Sequence, residues 1–142
     1  MLLTEALKIN EAYFGKNHPQ TGATFARLGN AYGGLGEYEK QKDLLIWALE
    51  IEEKYYDRDH PNTAFSLLHL GLTWGNLGDY KQQKNLTTRV LQIYKKQYGE
   101  DHIQTGAALA NLESSWGGLG NHEKQIDLLM KALTISILSA WI

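Results

Sequence analysis

The chain repeats itself every 42 residues without insertion or deletion, and that period limits its fold more than any other feature. Ala6-Leu7-Lys8-Ile9 recurs as Ala48-Leu49-Glu50-Ile51, Val90-Leu91-Gln92-Ile93 and Ala132-Leu133-Thr134-Ile135, so the starts at 6, 48, 90 and 132 are each 42 apart. His18-Pro19-x-Thr21, His60-Pro61-x-Thr63 and His102-Ile103-x-Thr105 keep the same phase, as do Leu35-Gly36, Leu77-Gly78 and Leu119-Gly120. A period of this size is one supersecondary unit stacked on copies of itself, so residues present in every copy report packing. Function is to be sought where the copies differ.

Within one period, Phe25, Leu28, Gly29 and Tyr32 fall at i, i+3, i+4 and i+7, the spacing of one apolar helix face. Pro19 suits the first turn of that helix, where its missing N–H is not needed, with Asn17 or His18 ahead of it as the cap. Gly33-Gly34-Leu35-Gly36 and its counterparts Gly75-Asn76-Leu77-Gly78 and Gly117-Gly118-Leu119-Gly120 end the helix by supplying positive-φ residues. A second helix begins near Glu37, because Tyr38, Gln41, Leu44, Leu45, Ala48, Ile51 and Tyr55 keep a helical period for about five turns. Each period is thus a hairpin of a helix A and a helix B. Neither helix buries its face alone, so the hairpins stack into one repeat domain over 1–142. Its parts are a partial B helix at 1–17, repeat 1 at 18–59, repeat 2 at 60–101, and repeat 3 with an apolar tail at 102–142.

Composition narrows the function. With 43% hydrophobic and 21% charged residues the chain reads as a folded, soluble domain. Lys+Arg 14 against Asp+Glu 16 leaves no basic stripe of the kind that nucleic acid or an anionic membrane requires, so neither is an expected partner. There is no cysteine, hence no disulfide framework and no thiolate chemistry. No apolar run approaches a membrane span and Met1-Leu2-Leu3-Thr4-Glu5 is unlike a signal peptide, which points to a cytoplasmic protein.

Ala48-Leu49-Glu50-Ile51, Asp59-His60-Pro61-Asn62-Thr63-Ala64 and Leu77-Gly78-Asp79-Tyr80 together resemble the long tetratricopeptide repeat of the kinesin light chain type. The resemblance covers essentially the whole chain, in three in-phase copies. It implies an all-α solenoid of helix hairpins wound into a right-handed superhelix, with A helices lining a concave groove and B helices outside. It also implies a non-catalytic module that binds peptide segments, with no cofactor. The sequence departs from the family at Gln41, Gln83 and Gln125, where a small Ala is usual early in helix B. Gly29 and Gly71 on helix A are expected to make room for the first two. In the third repeat Glu113 stands at that place, and a carboxylate at a helix contact needs a partner, for which Gln125 is the candidate.

Constellations that carry chemistry are scarce. His18, His60 and His102 occupy equivalent positions in successive repeats, on the order of 10 Å apart, too far to share a zinc with bonds of about 2 Å; they read as helix caps. Gly33-Gly34-Leu35-Gly36 follows a helix and precedes Glu37-Tyr38, so it is a hairpin turn and no phosphate loop. Asn85-Leu86-Thr87 matches a glycosylation triplet inside a helix, an accidental match. No serine, histidine and acid combination stands out, and no enzyme activity is expected.

The stripe of helix A opposite its packing face is where partner recognition is expected. It comprises Ala23, Arg27, Asn30 and Gly34 in repeat 1, Phe65, His69, Leu72 and Asn76 in repeat 2, and Ala107, Asn111, Ser114 and Gly118 in repeat 3. These positions differ between copies, as recognition residues do and as freely drifting solvated positions also do. Arg27, His69 and Asn111 all donate hydrogen bonds, which suits an extended acidic or C-terminal peptide, and Phe65, Leu68 and Leu72 offer an apolar pocket. Ala23, Phe65 and Ala107 stand where the family's carboxylate clamp has lysines, which argues against chaperone-tail recognition.

Trp47 is set apart by its equivalents Glu5, Arg89 and Lys131, which mark a solvent-facing position, and Ile46 lies beside it. An exposed Trp is either an interface anchor or nothing more than an exposed Trp. Met1 aligns with Asp43, and Ile137-Leu138-Ser139-Ala140-Trp141-Ile142 replaces the charged, aromatic tail of the earlier copies. The expectation is a piece of a longer array, or a homo-oligomer that covers its ends through Ile46, Trp47, Ile137, Leu138, Trp141 and Ile142. The sequence therefore reads as a protein-interaction module, with a self-assembling scaffold as the alternative.

Overall fold

The computed structural model describes residues 2–15 and 18–141; Asn17 and Ile142, singled out above, lie outside them. Seven α-helices follow one another, with no strand among the described residues: α1 Leu2–Phe14, α2 Pro19–Gly34, α3 Tyr38–Tyr55, α4 Pro61–Asn76, α5 Tyr80–Tyr98, α6 Ile103–Gly118 and α7 His122–Trp141. The even-numbered helices are the A helices and the odd-numbered ones the B helices.

Each A helix begins with the same chemistry. His18, His60 and His102 are extended N-cap residues whose Nδ1 accepts the backbone N–H of Gln20, Asn62 and Gln104 at 3.1, 3.0 and 3.1 Å. Thr21, Thr63 and Thr105, three residues later, are fully buried. Their hydroxyls donate to the preceding loop: Thr21 to Gly15 O at 2.8 Å, Thr63 to His60 O at 2.7 Å and Thr105 to Gly99 O at 2.7 Å. Tyr56 and Tyr98 stack on His60 and His102 with ring centroids 4.6 Å apart. The histidines are capping residues bound into the loop, which satisfies donors that a helix start otherwise leaves orphaned.

The hairpin turns differ in one respect from the sequence reading. Helices α2 and α6 run through Gly34 and Gly118, and only Gly36, Gly78 and Gly120 take positive φ, at 78°, 86° and 83°. Gly33, Gly75 and Gly117 are needed for space. A Cβ at Gly75 would lie 2.6 Å from Gln83 Oε1, and Cβ atoms at Gly33 and Gly117 would run into the amides of Gln41 and Gln125. The room for the three glutamines thus comes one turn beyond the expected Gly29 and Gly71, and the third repeat follows the same rule. Gly29 instead lets backbones approach: a Cβ there would meet Gln41 O and Leu44 Cβ at 3.2 Å. Glu113 does find its partner, accepting from Gln125 Nε2 at 3.1 Å.

A prediction follows for this contact. Gly75→Ala, which in a free helix gains about 1 kcal/mol, is expected to gain nothing in the intact protein and to recover that gain once Gln83→Ala clears the site. Chemical denaturation of the two single variants and the double variant measures the coupling; an equal gain in both backgrounds would contradict the contact.

The core forms along the seams between hairpins. Phe25, Leu45, Ala48, Ile51 and Leu70 make one buried cluster, and Leu67, Val90, Ile93, Leu109, Leu112 and Ile135 belong to the next. Lys42 Nζ lies 5.2 Å from the Trp74 ring centre and Lys84 Nζ 4.9 Å from that of Trp116, so a lysine of one B helix covers the aromatic of the next A helix. Among the described residues the backbone of α2 approaches that of α4 and the backbone of α4 approaches that of α6, whereas no two B helices come as close along their backbones. Successive A helices are therefore closer together than successive B helices, and the array bends with its A helices on the inner side.

Candidate interaction groove

On the inner stripe, Ala23, Arg27, Phe65, Asn76, Ala107, Ser114, Gly34 and Gly118 are exposed, and Asn30, His69, Leu72 and Asn111 are half-buried. None of the twelve is fully buried between helices A and B. Asn30 is partly engaged within its own hairpin, since its Oδ1 accepts from Gln41 Nε2 at 3.0 Å. The Phe65 and His69 rings touch, with centroids 4.3 Å apart at 50°, and burial pushes the His69 pKa down, which favours the neutral imidazole. Leu68 packs against the core cluster, so it is set apart from Phe65 on the helix surface. Tyr80 of α5 lies over Gly118, where a Cβ would collide with its ring, a contact with no signal in the repeat pattern.

Between the N-terminal halves of α2 and α4 the inner face opens into a cavity of about 490 Å³. Ala23, Ala26 and Arg27 of α2, Glu52 of α3, and Pro61 and Phe65 of α4 are among its lining residues, with Tyr56 just beyond α3. Glu52 is buried, with 6% of its surface exposed. Its Oε1 accepts from Ser66 Oγ at 2.8 Å, while its Oε2 has no hydrogen-bond partner among the described residues. Burial pushes the carboxyl up to about 7, the Ser66 bond acting against that rise and the neighbouring charge of Glu53 adding to it. Sequence reasoning missed Glu52 because it sits among Glu50, Glu53 and Lys54, a run that reads as a solvated face.

The positions expected at a self-association surface are spread out. Trp47 is 53% exposed and packs edge-on against Phe25, with centroids 5.5 Å apart at 77°. With Tyr32 and the half-buried Ile46 it lines a second cavity of about 320 Å³. Its equivalent Arg89 departs from the solvent-facing expectation: it is half-buried and its guanidinium donates to Glu53 Oε1 at 3.2 Å and Arg58 O at 3.1 Å, tying α5 to the loop before α4. Ile137, Leu138 and Trp141 are exposed on α7.

Among the described residues no three His, Cys, Asp or Glu side chains form a metal-binding group. No described helix is long and apolar enough to cross a membrane.

Residues 63–104 match the family described as tetratricopeptide repeat. No curated protein matches the chain. Among solved structures it is similar to BtubC (BKLC) from P. vanneervenii, at 18% identity and a TM-score of 0.86 over 97% of this chain and 55% of that one. It is also similar to a Podosopora anserina putative kinesin light chain with nearly identical TPR-like repeats, at 22% identity and 0.78 over 97% and 65%. A third likeness is to the TPR domain of Arabidopsis FLU, at 20% identity and 0.69 over 80% and 92%. The chain spans 55% and 65% of the length of the first two.

The fold is an all-α helical repeat solenoid. More particularly, it has the fold of the tetratricopeptide-repeat structures it resembles, and one of its repeats matches that family outright. Such repeats generally serve protein–protein interaction or scaffolding and are generally non-catalytic.

Proposed function

We propose that this chain is a non-catalytic, cytoplasmic interaction module that binds an extended peptide segment of a protein partner along the inner face of α2, α4 and α6. Neither nucleic acid, membrane nor cofactor takes part. The observation that carries the reading is that Arg27, His69 and Asn111 hold one phase on three successive inner helices and are solvent-accessible, while the packing positions around them repeat. Each donates hydrogen bonds to a strand-like backbone or to a carboxylate. Variation on an accessible inner face is what a recognition surface requires.

The test is a peptide selected against the full chain from a random display library. Each hydrogen bond lost costs about 1 kcal/mol, so Arg27→Ala/His69→Ala/Asn111→Ala together are expected to weaken binding on the order of 100-fold with the fold retained. Unchanged affinity would overturn the groove reading.

A scaffold that associates with itself is the second reading. It is favoured by the row Ile126, Met130, Leu133 and Ile137 of α7, which are 58, 64, 59 and 51% exposed. A monomeric mass at tens of micromolar, unchanged on deleting residues 137–142, would exclude it.

A further inference from the structure

We propose that the outward face of α7 is a self-recognition surface, on which α7 of a second copy of this chain packs antiparallel to give a two-fold symmetric dimer. The proposal rests on the self-association reading above and names its surface and geometry. It leaves the inner face of α2, α4 and α6 open.

α7 turns Leu128, Ala132 and Ile135 toward the rest of the fold, where they join the second core cluster. On its other side Ile126, Met130, Leu133 and Ile137 follow one another at spacings of four, three and four residues, the a and d pattern of a helix–helix seam. Leu129 and Trp141 flank that row, and the six side chains are between 43% and 84% exposed. At roughly 100 Å² apiece they present about 600 Å² of apolar surface, the upper end of what a monomer shows.

The upstream B helices turn the same row onto the next hairpin. Lys42 of α3 covers Trp74 and Lys84 of α5 covers Trp116, while Ile46 and Leu49 pack against the cluster that contains Leu70. In α7, Ile126 replaces Lys42 and Lys84, Ile137 replaces Glu53 and Lys95, and Leu138 replaces Lys54 and Lys96. Three positions charged in both earlier copies are thus apolar in this one. A further hairpin of the same kind would be met by a lysine over its aromatic ring, and α7 offers none. It suits a partner that is apolar along the whole row, and the row itself is such a partner. Turned antiparallel about the midpoint between Met130 and Leu133, it sets Ile126 against the partner's Ile137 and Met130 against the partner's Leu133. The charges of α7 do not oppose this: Glu123 and Asp127 balance Lys124 and Lys131, and no charged residue follows Lys131. Two such faces bury roughly 1,200 Å² in total, the lower end of specific interfaces, which suits a reversible dimer in the micromolar range.

Sedimentation of the full chain from low to high micromolar concentration tests the pairing. The expected result is a mass that doubles and goes no further. Met130→Glu and Leu133→Lys, at positions 64% and 59% exposed, should each weaken the dimer about tenfold or more by placing an unpaired charge in the seam, with the urea midpoint of dilute protein unchanged. An equal mixture of the two should restore association, because position 130 of one chain faces position 133 of the other. The chain has no cysteine, so Ile126→Cys mixed with Ile137→Cys should give a disulfide-linked pair on mild oxidation faster than either variant alone. A chain that stays monomeric overturns the pairing and the self-association reading together. A dimer indifferent to both charge substitutions keeps that reading and overturns the pairing. Mass that grows beyond two copies means that α7 meets the first hairpin of the next chain head to tail, which overturns the symmetric pair. A dimer weakened by the charges but neither restored in the mixture nor cross-linked between 126 and 137 overturns the antiparallel register.

Discussion

Leu70→Ala is expected to lower the stability of the fold by roughly 2–5 kcal/mol, the cost of lost contacts plus a cavity in a packed seam. Leu70 lies on α4 with 4% of its surface exposed, and it joins Phe25, Leu45, Ala48 and Ile51 across the seam between the first two hairpins. Each hairpin of a solenoid is held by its neighbours, so a defect in this seam loosens both sides of it. Leu72→Ala is the contrast: it lies two residues along the same helix, on the half-buried inner stripe, and should cost far less. Urea denaturation of both variants measures the difference, and equal midpoints would contradict the assignment of helix faces.

The second large effect is a dependence of stability on pH that belongs to one side chain. The Glu52 carboxyl stands at about 7 in the folded chain against an ordinary value near 4.5. Between those two values the folded state keeps a proton that the unfolded chain has already lost. The contribution of Glu52 is therefore neutral below about pH 4.5, turns destabilising as pH rises, and is at its full penalty above about pH 7. At about 1.4 kcal/mol for each unit of displacement, the full penalty is roughly 3 kcal/mol. Glu52→Gln keeps an acceptor for Ser66 and cannot ionise. The stability difference between it and the unaltered chain should grow by that amount from pH 4 to pH 8, and parallel profiles would contradict the placement of the carboxyl.

The repeat makes much of this architecture readable in the sequence itself. Phe25, Leu28 and their counterparts give the packing face of helix A from spacing alone, and His18-Pro19-x-Thr21 places a helix start because cap, proline and buried threonine are local chemistry. What stayed hidden depends on side chains that reach across the hairpin. Gln41 sits near the start of helix B and meets the last turn of helix A, because antiparallel helices bring those two ends together; its partner is Gly33, a turn later than the expected Gly29. Glu52 was hidden by the acidic residues around it. The signal was a polar pair 14 residues apart, Asn10 with Thr24 in one repeat and Glu52 with Ser66 in the next, and it is visible only once the seam is known. Arg89 reads as a solvated position, yet its length carries it to Glu53 and the loop before α4.

In the proposed function a partner's peptide lies along the inner helices. A photo-crosslinking residue placed in turn at positions 27, 69 and 111 on the inner stripe, and at the exposed positions 50 and 92 on α3 and α5, tests it most directly with a selected peptide bound. The peptide is expected to be captured from 27, 69 and 111, with successive segments of its sequence attached at successive helices, and from neither 50 nor 92. Capture from 50 and 92 with none from the inner stripe would contradict it.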